Sequence, residues 1–158
     1  MKKVFFYNAI ILLSLMIMSS TCSVNDDDDD ELLNNSSEIA SINDDASNGV
    51  WVITYYYDTD HEETSNFTGY TFTFGSNGVL TATNGVNTYT GSWSVTDDSS
   101  SSTSSSDDID FNIAFSSPSD FEELTDDWEI ISHTSTRIEL RDISGGNGGT
   151  DFLTFERN

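Results

Sequence analysis

From Gly49 to the C-terminus, bulky apolar residues recur at every second position, the spacing of a strand with one buried face. Trp51, Ile53, Tyr55 and Tyr57 alternate with Val52, Thr54 and Tyr56. After a polar turn at 58–66, Tyr70, Phe72 and Phe74 alternate with Thr71 and Thr73. A hairpin turn at Ser76-Asn77-Gly78 leads into a third strand at 79–83, and Asn84-Gly85 forms a second tight turn, since Asn and Gly tolerate positive φ. Tyr89, Gly91, Trp93 and Val95 share one face of a fourth strand; Ile109, Phe111, Ile113 and Phe115 share one face of a fifth. Residues 116–123 hold the sole proline and read as a loop or a single helical turn. Leu124, Trp128 and Ile130 introduce a sixth strand, residues 136–142 form a seventh and 151–157 an eighth. Tight turns with no helical crossover dictate antiparallel pairing. The predicted fold is therefore all-β: an eight-stranded up-and-down meander that hides its edges as a closed barrel or a flattened sandwich.

The pattern upstream is different. Lys2 and Lys3 precede an apolar run, residues 4–18, interrupted only by Asn8 and Ser14 and followed by Ser19, Ser20 and Thr21. A positive start, a short greasy core and small residues are the signature of a secretory signal, and about 15 apolar residues are too few to span a bilayer. Residues 1–21 are expected to be removed. Residues 22–48 open with an acidic run, Asp26 to Glu31, and continue rich in Asn, Ser and Asp. Leu32, Leu33, Ile39 and Ile42 are raggedly spaced, so this segment is expected to be a flexible tether, with a weak helix near 37–42 at most. Its like charges would extend it. The β domain would occupy 49–158.

Charge narrows the partners. All 28 acidic residues follow Cys22, and two of the five cations lie in the leader. The remainder sets three arginines (Arg137, Arg141, Arg157) against 28 carboxylates, a formal charge of three minus 28, or −25. Nucleic acid is excluded as a partner, because phosphate binding needs cationic neutralisation. Attraction to anionic headgroups is excluded likewise. Self-repulsion favours a monomer. Cys22 is the only cysteine, so no disulfide forms within the chain.

Chemistry is sparse. His61 sits among Asp58, Asp60, Glu62 and Glu63, a set able to ligate a divalent ion but equally an ordinary hydrated turn, and no calcium-loop motif supports the former. No metal or cofactor is expected. His133 ends a strand, and no Gly-x-Ser-x-Gly elbow provides it with a nucleophile. Nothing pairs two carboxylates as a glycosidase requires. The run 145–149 lacks the Lys-Ser/Thr of a phosphate loop and precedes a strand, so it is a turn. The serine- and aspartate-rich stretch 97–108 has no apolar residue and would be an exposed, mobile loop. No enzymatic activity is expected. The remaining asset is the ring set Trp51, Tyr55, Tyr70, Phe72, Phe74, Trp93, Phe111 and Trp128, with Tyr57, Tyr89 and Phe115 on the same inward positions. These rings either line a cavity for a small hydrophobic ligand or fill a core without one.

Three resemblances add expectations. Ser20 and Cys22 match a lipobox, the cleavage signal of bacterial lipoproteins, although Ser19 and Thr21 depart from its commonest residues. The likeness implies a lipid on Cys22 that anchors the chain to a membrane. Ser23 followed by Asp26, Asp27, Asp28, Asp29 and Asp30 resembles the export signal of Bacteroidota-type lipoproteins, which implies display on the outer face of the outer membrane. Gly49-Val50-Trp51 resembles the Gly-x-Trp that opens the first strand of lipocalins. Residues 91–95, 124–131 and 138–140 resemble strands of lipocalin-like domains in bacterial surface lipoproteins. That family packs an Arg near the barrel's end on the first-strand Trp; Arg157 is the first candidate here and Arg137 the next. The implied function is a non-enzymatic surface lipoprotein whose domain binds a small ligand inside, or one whose filled barrel engages protein or glycan through its loops.

Overall fold

A computed structural model describes residues 29–98, 109–143 and 149–158, with side-chain surroundings from Asn35 onward. Residues 1–28, among them Cys22, Ser23, Asp26, Asp27 and Asp28, lie outside the described residues, as do 99–108 and 144–148. Helix α1 (Asp29–Ser47) comes first. It is followed by β1 (Trp51–Asp58), the two-residue β2 (His61–Glu62), a 3-10 turn (Thr64–Phe67), β3 (Thr71–Phe74), β4 (Val79–Thr83) and β5 (Thr88–Asp97). Then come β6 (Ile109–Ala114), the single turn α2 (Ser119–Glu122), β7 (Asp126–Thr134), β8 (Arg137–Ile143) and β9 (Thr150–Arg157).

The strands form one antiparallel sheet, each long strand paired to the next, and β9 returns to pair with β1. The result is a closed eight-stranded up-and-down barrel, with β2 only a hairpin flap on the end of β1. Among the described residues, closure leaves only the two-residue β2 as a free sheet edge, too short a template for another chain to extend. The seam between β1 and β3 is the thinnest, held by the single pair Trp51–Phe72. Gly78 and Gly85 take φ of 78° and 82° in the two hairpin turns, the conformation expected there.

Alternation decides which side chains enter. On β6, Ile109, Phe111 and Ile113 are buried while Asp110 and Asn112 face outward. On β1 a bulge corrects the expected pattern. Ile53 pairs with Phe155 and Tyr55 with Thr154, so Thr54 is an extra residue and the phase flips. Tyr56 therefore enters the core at 1% exposure, whereas Tyr55, expected inside, lies outside at 41%. Tyr57 follows Tyr55 to the outer face.

Both barrel ends are closed. At one end, Phe67 of the 3-10 turn and Phe121 of α2 meet edge to face, centroids 5.3 Å apart, and each also touches Phe72. At the other end lies α1, which corrects the expectation of a flexible tether. Asn35, Ile42 and Ala46 are buried and Ile39 is partly so, a spacing of seven and four that places them on one helical stripe. That stripe packs on the barrel, and the Trp51 indole N–H donates to the Ala46 carbonyl at 2.8 Å. The helix persists because the barrel covers its weak apolar face, as most protein helices require.

Gly91 shows how closely neighbouring strands approach. A Cβ there would lie 2.3 Å from the Ala114 carbonyl oxygen and 2.8 Å from the Phe115 ring. Gly91→Ala is expected to destabilise the fold by about 1–3 kcal/mol, because a backbone oxygen cannot step aside. Urea melts of the two proteins check this; an unchanged midpoint would mean that β5 and β6 separate freely.

Candidate functional site

The barrel interior is occupied by rings. Trp51, Phe72, Phe74, Phe111 and Trp128 are at most 1% exposed and Trp93 is 6% exposed. Phe74 meets Trp93, Phe111 and Phe155 edge to face at 5.2–5.4 Å, and Phe155 also meets Phe72 at 5.5 Å. Such contacts cross the barrel and leave side chain against side chain. All three indole N–H groups are satisfied by backbone: Trp51 by Ala46, Trp93 by Gly75 and Trp128 by Leu124. None is left to orient a guest. These six residues are core. Tyr70 is half-buried at the rim, its ring near-parallel to that of Tyr89 at 5.8 Å. Grooves lined by described residues lie along α1, on the outer side of β5–β7, and at the thin β1–β3 seam beside Phe67 and Tyr70.

Arg157 pairs in register with Trp51, and its guanidinium carbon lies 5.6 Å from the centroid of that ring. A Cβ on Gly49 would fall 2.6 Å from the Arg157 Nε, so the glycine of Gly49-Val50-Trp51 leaves room for that guanidinium. Arg137 is engaged elsewhere, by Glu139 at 2.7 Å and by Glu156.

Near the ring-plugged end, carboxylates crowd together. Ligand atoms of Asp58, Glu63 and Glu123 lie within 4.8 Å of one another. His61, exposed, contacts Asp60 through Nδ1 and Glu63 through Nε2 at 2.5 Å. Burial pushes the Glu123 carboxyl up, and the hydrogen bond and charge of Glu63 push it further. Hydrogen bonds to Asp60 and Glu63 raise the His61 imidazole in turn. The donor set is of a kind that accepts a hard cation, and it is equally a solvated acidic turn.

The outer face of β1, β9, β8 and β7 is different in character. Tyr57, Phe152, Arg141 and Glu129 stand in one cross-strand row. Arg141 Nε donates to Glu129 at 2.6 Å. The adjoining row carries Tyr55, Thr154, Glu139 and Ser132, and Ser132 donates to Glu139 at 2.6 Å. The Tyr55 and Tyr57 rings run nearly parallel, 15° apart with centroids at 6.4 Å. Arg137, four residues before Arg141 on the same side of β8, pairs with Glu156, so two of the three arginines that follow Cys22 share one face with two outward tyrosines and a half-buried phenylalanine. Exposed Ile131 and Ile143 lie on the same strands, β7 and β8. This surface was not anticipated, because the bulge that turns Tyr55 and Tyr57 outward leaves no mark in the alternation.

No protein-family model matches the chain, and no curated protein matches it. Among solved structures, the crystal structure of a DUF4847 family protein from Bacteroides vulgatus is similar, with a TM-score of 0.46 and 17% identity. The match covers 72% of this chain and 94% of that one.

Proposed function

We propose that the chain is a non-enzymatic lipoprotein of the outer membrane that works as an interaction module. In this reading its signal peptide is cleaved before Cys22, which carries the lipid, and Ser23 with Asp26–Asp30 directs it to the cell surface. The observation that carries the interaction reading is the inversion of the barrel's assets: the interior is packed with rings, while aromatic and arginine residues line up on an outer face. Tyr and Arg dominate the energetics of protein interfaces, and this face has both within a chain that is otherwise strongly acidic. The favoured partner is a protein whose contact surface presents apolar groups between polar ones and is not itself acidic.

Two measurements test the parts separately. Radiolabelled palmitate is expected to label the wild-type chain in cells and to leave Cys22→Ser unlabelled; label on both would remove the anchor from Cys22. A photo-crosslinking residue at position 57 is expected to give a discrete adduct on intact cells. Arg141→Glu should reduce that adduct about tenfold or more, as loss of a hot-spot residue does. An adduct indifferent to Arg141→Glu would refute the assignment of this face.

A further inference from the structure

We propose that His133 is a proton-operated latch that holds α1 against the end of the barrel and lets the helix loosen when the imidazolium is lost. His133 lies near the end of β7, and its side chain is 13% exposed. Nδ1 is 2.8 Å from Asp45 and Nε2 is 2.9 Å from Glu38. Those carboxylates sit on α1, seven residues apart and therefore two turns apart on one face, and the ring bridges them. Both ring nitrogens must carry protons to donate to both acceptors, which defines the charged form. A neutral imidazole keeps one donor and turns a lone pair toward the other carboxylate.

Among the described residues, no other cation forms an ion pair with the carboxylates of the helix. Residues 29–47 contain no Lys or Arg. From β5, Asp97 accepts from Asn35 at 3.1 Å and adds negative charge. β3, which also touches α1, contributes no charged residue. Beside His133 on its own strand, Ser132 binds Glu139, and Arg137 of β8 is taken up by Glu139 and Glu156. Arg157 stands beyond the helix end, against Gly49 and over Trp51, and among the described residues His133 is the group paired with the carboxylates of α1. The apolar contact is thin, consisting of Ile42, Ala46 and part of Ile39. A groove of about 290 Å³ already runs between helix and barrel, lined by Glu38, Ile42, Ile109, Ile130 and His133 among others.

Burial lowers the His133 pKa, and hydrogen bonds to Glu38 and Asp45 outweigh it, so the net shift is upward. A histidine raised in the folded state stabilises at and below its ordinary range and loses that contribution as pH rises through the raised value. The latch therefore holds at mildly acidic pH and opens toward alkaline pH. The latch does not depend on lipidation. If the chain is anchored through Cys22, opening would free the barrel from a fixed orientation on a rod that is 19 residues, or about 28 Å, long.

The test is hydrogen exchange on the full-length chain in detergent, comparing α1 with the barrel strands at pH 6 and pH 9 after correction for intrinsic rates. Exchange in α1 is expected to rise about tenfold relative to the strands, and His133→Gln should exchange fast and evenly at both pH values. Glu38→Gln combined with Asp45→Asn keeps hydrogen-bonding partners for a neutral ring, so its α1 should stay protected with the pH step abolished. A step that survives in either variant, or α1 protection that is flat with pH in the wild type, overturns the proposal. The outcome is independent of whether Cys22 is acylated or the outer face binds a partner.

Discussion

Trp51→Ala is expected to destabilise the domain by about 3–5 kcal/mol, a large share of the roughly 5–15 kcal/mol that holds a typical domain together. Trp51 is buried at 0% exposure and is the residue at which three parts of the molecule meet. It makes the single register pair across the β1–β3 seam, with Phe72. It donates to the Ala46 carbonyl near the end of α1, and it lies under the Arg157 guanidinium. Truncation leaves a large cavity, removes the donor for a helix-end carbonyl and strands the cation. Trp51→Phe separates these effects. It keeps most of the ring and loses the N–H, so it should cost about 1–3 kcal/mol, the penalty for a buried carbonyl left unpaired. Tyr55→Ala, on the outer side of the same strand, is expected to stay within about 0.5 kcal/mol of wild type. Denaturant melts of the three variants check the order. Equal losses at Trp51 and Tyr55 would mean that the bulge does not sort inside from outside.

The strands were legible because each one states its own periodicity. Ile109, Phe111 and Ile113 against Asp110 and Asn112 define a face without reference to any other segment. The turns were legible for the same local reason, since Asn77-Gly78 and Asn84-Gly85 offer the backbone the φ it needs. What stayed hidden depends on partners far along the chain. The Thr54 bulge exists because β9 pairs on both sides of it, and nothing in Trp51–Asp58 alone marks the slip. The contact stripe of α1 was invisible because two of its four members, Asn35 and Ala46, carry little hydrophobic signal. Their burial comes from Asp97, 62 residues away, and from the barrel end. His133 showed only an imidazole at a strand end, with its acceptors 88 and 95 residues upstream. Phe67 and Phe121 were passed over because each lies in a short polar segment, although each places a ring across the barrel mouth.

The domain should be more stable at pH 5 than at pH 8, the reverse of the usual response to acid. Stability falls with pH wherever the folded state binds more protons than the unfolded chain. Four groups with raised pKa values act in this window. Burial, with Asp127 adding to it, pushes the Asp126 carboxyl from 3.8 up to about 6. Burial and then Glu63 raise Glu123. Hydrogen bonds to carboxylates raise His61 and, against the effect of burial, His133. For the two acids, the unfolded chain releases its protons first as pH rises from 4, and the folded state must then give up protons it holds tightly. For the two histidines, the stabilising ion pairs are complete below the ordinary range and disappear above the raised values. All four signs agree. Glu139 opposes them, held low by its hydrogen bond from Arg137, but its contribution is lost only as pH falls below the ordinary glutamate range. Stability therefore falls from mildly acidic pH toward the physiological range. Unscreened, the shift at Asp126 would correspond to about 3 kcal/mol; the group is only half-buried, so about 1 kcal/mol is realistic. About half of it falls between pH 5 and pH 8, which for a domain of this size moves Tm by about 2 °C or more. Asp126→Asn should recover the whole contribution at pH 8 and about half of it at pH 5, where the unfolded carboxyl is already ionised while the folded one still holds its proton. Calorimetric melts at both pH values decide the matter. A Tm that rises from pH 5 to pH 8, or an Asp126→Asn effect independent of pH, would mean that these carboxyls are fully solvated and that the crowded charges of the barrel never meet.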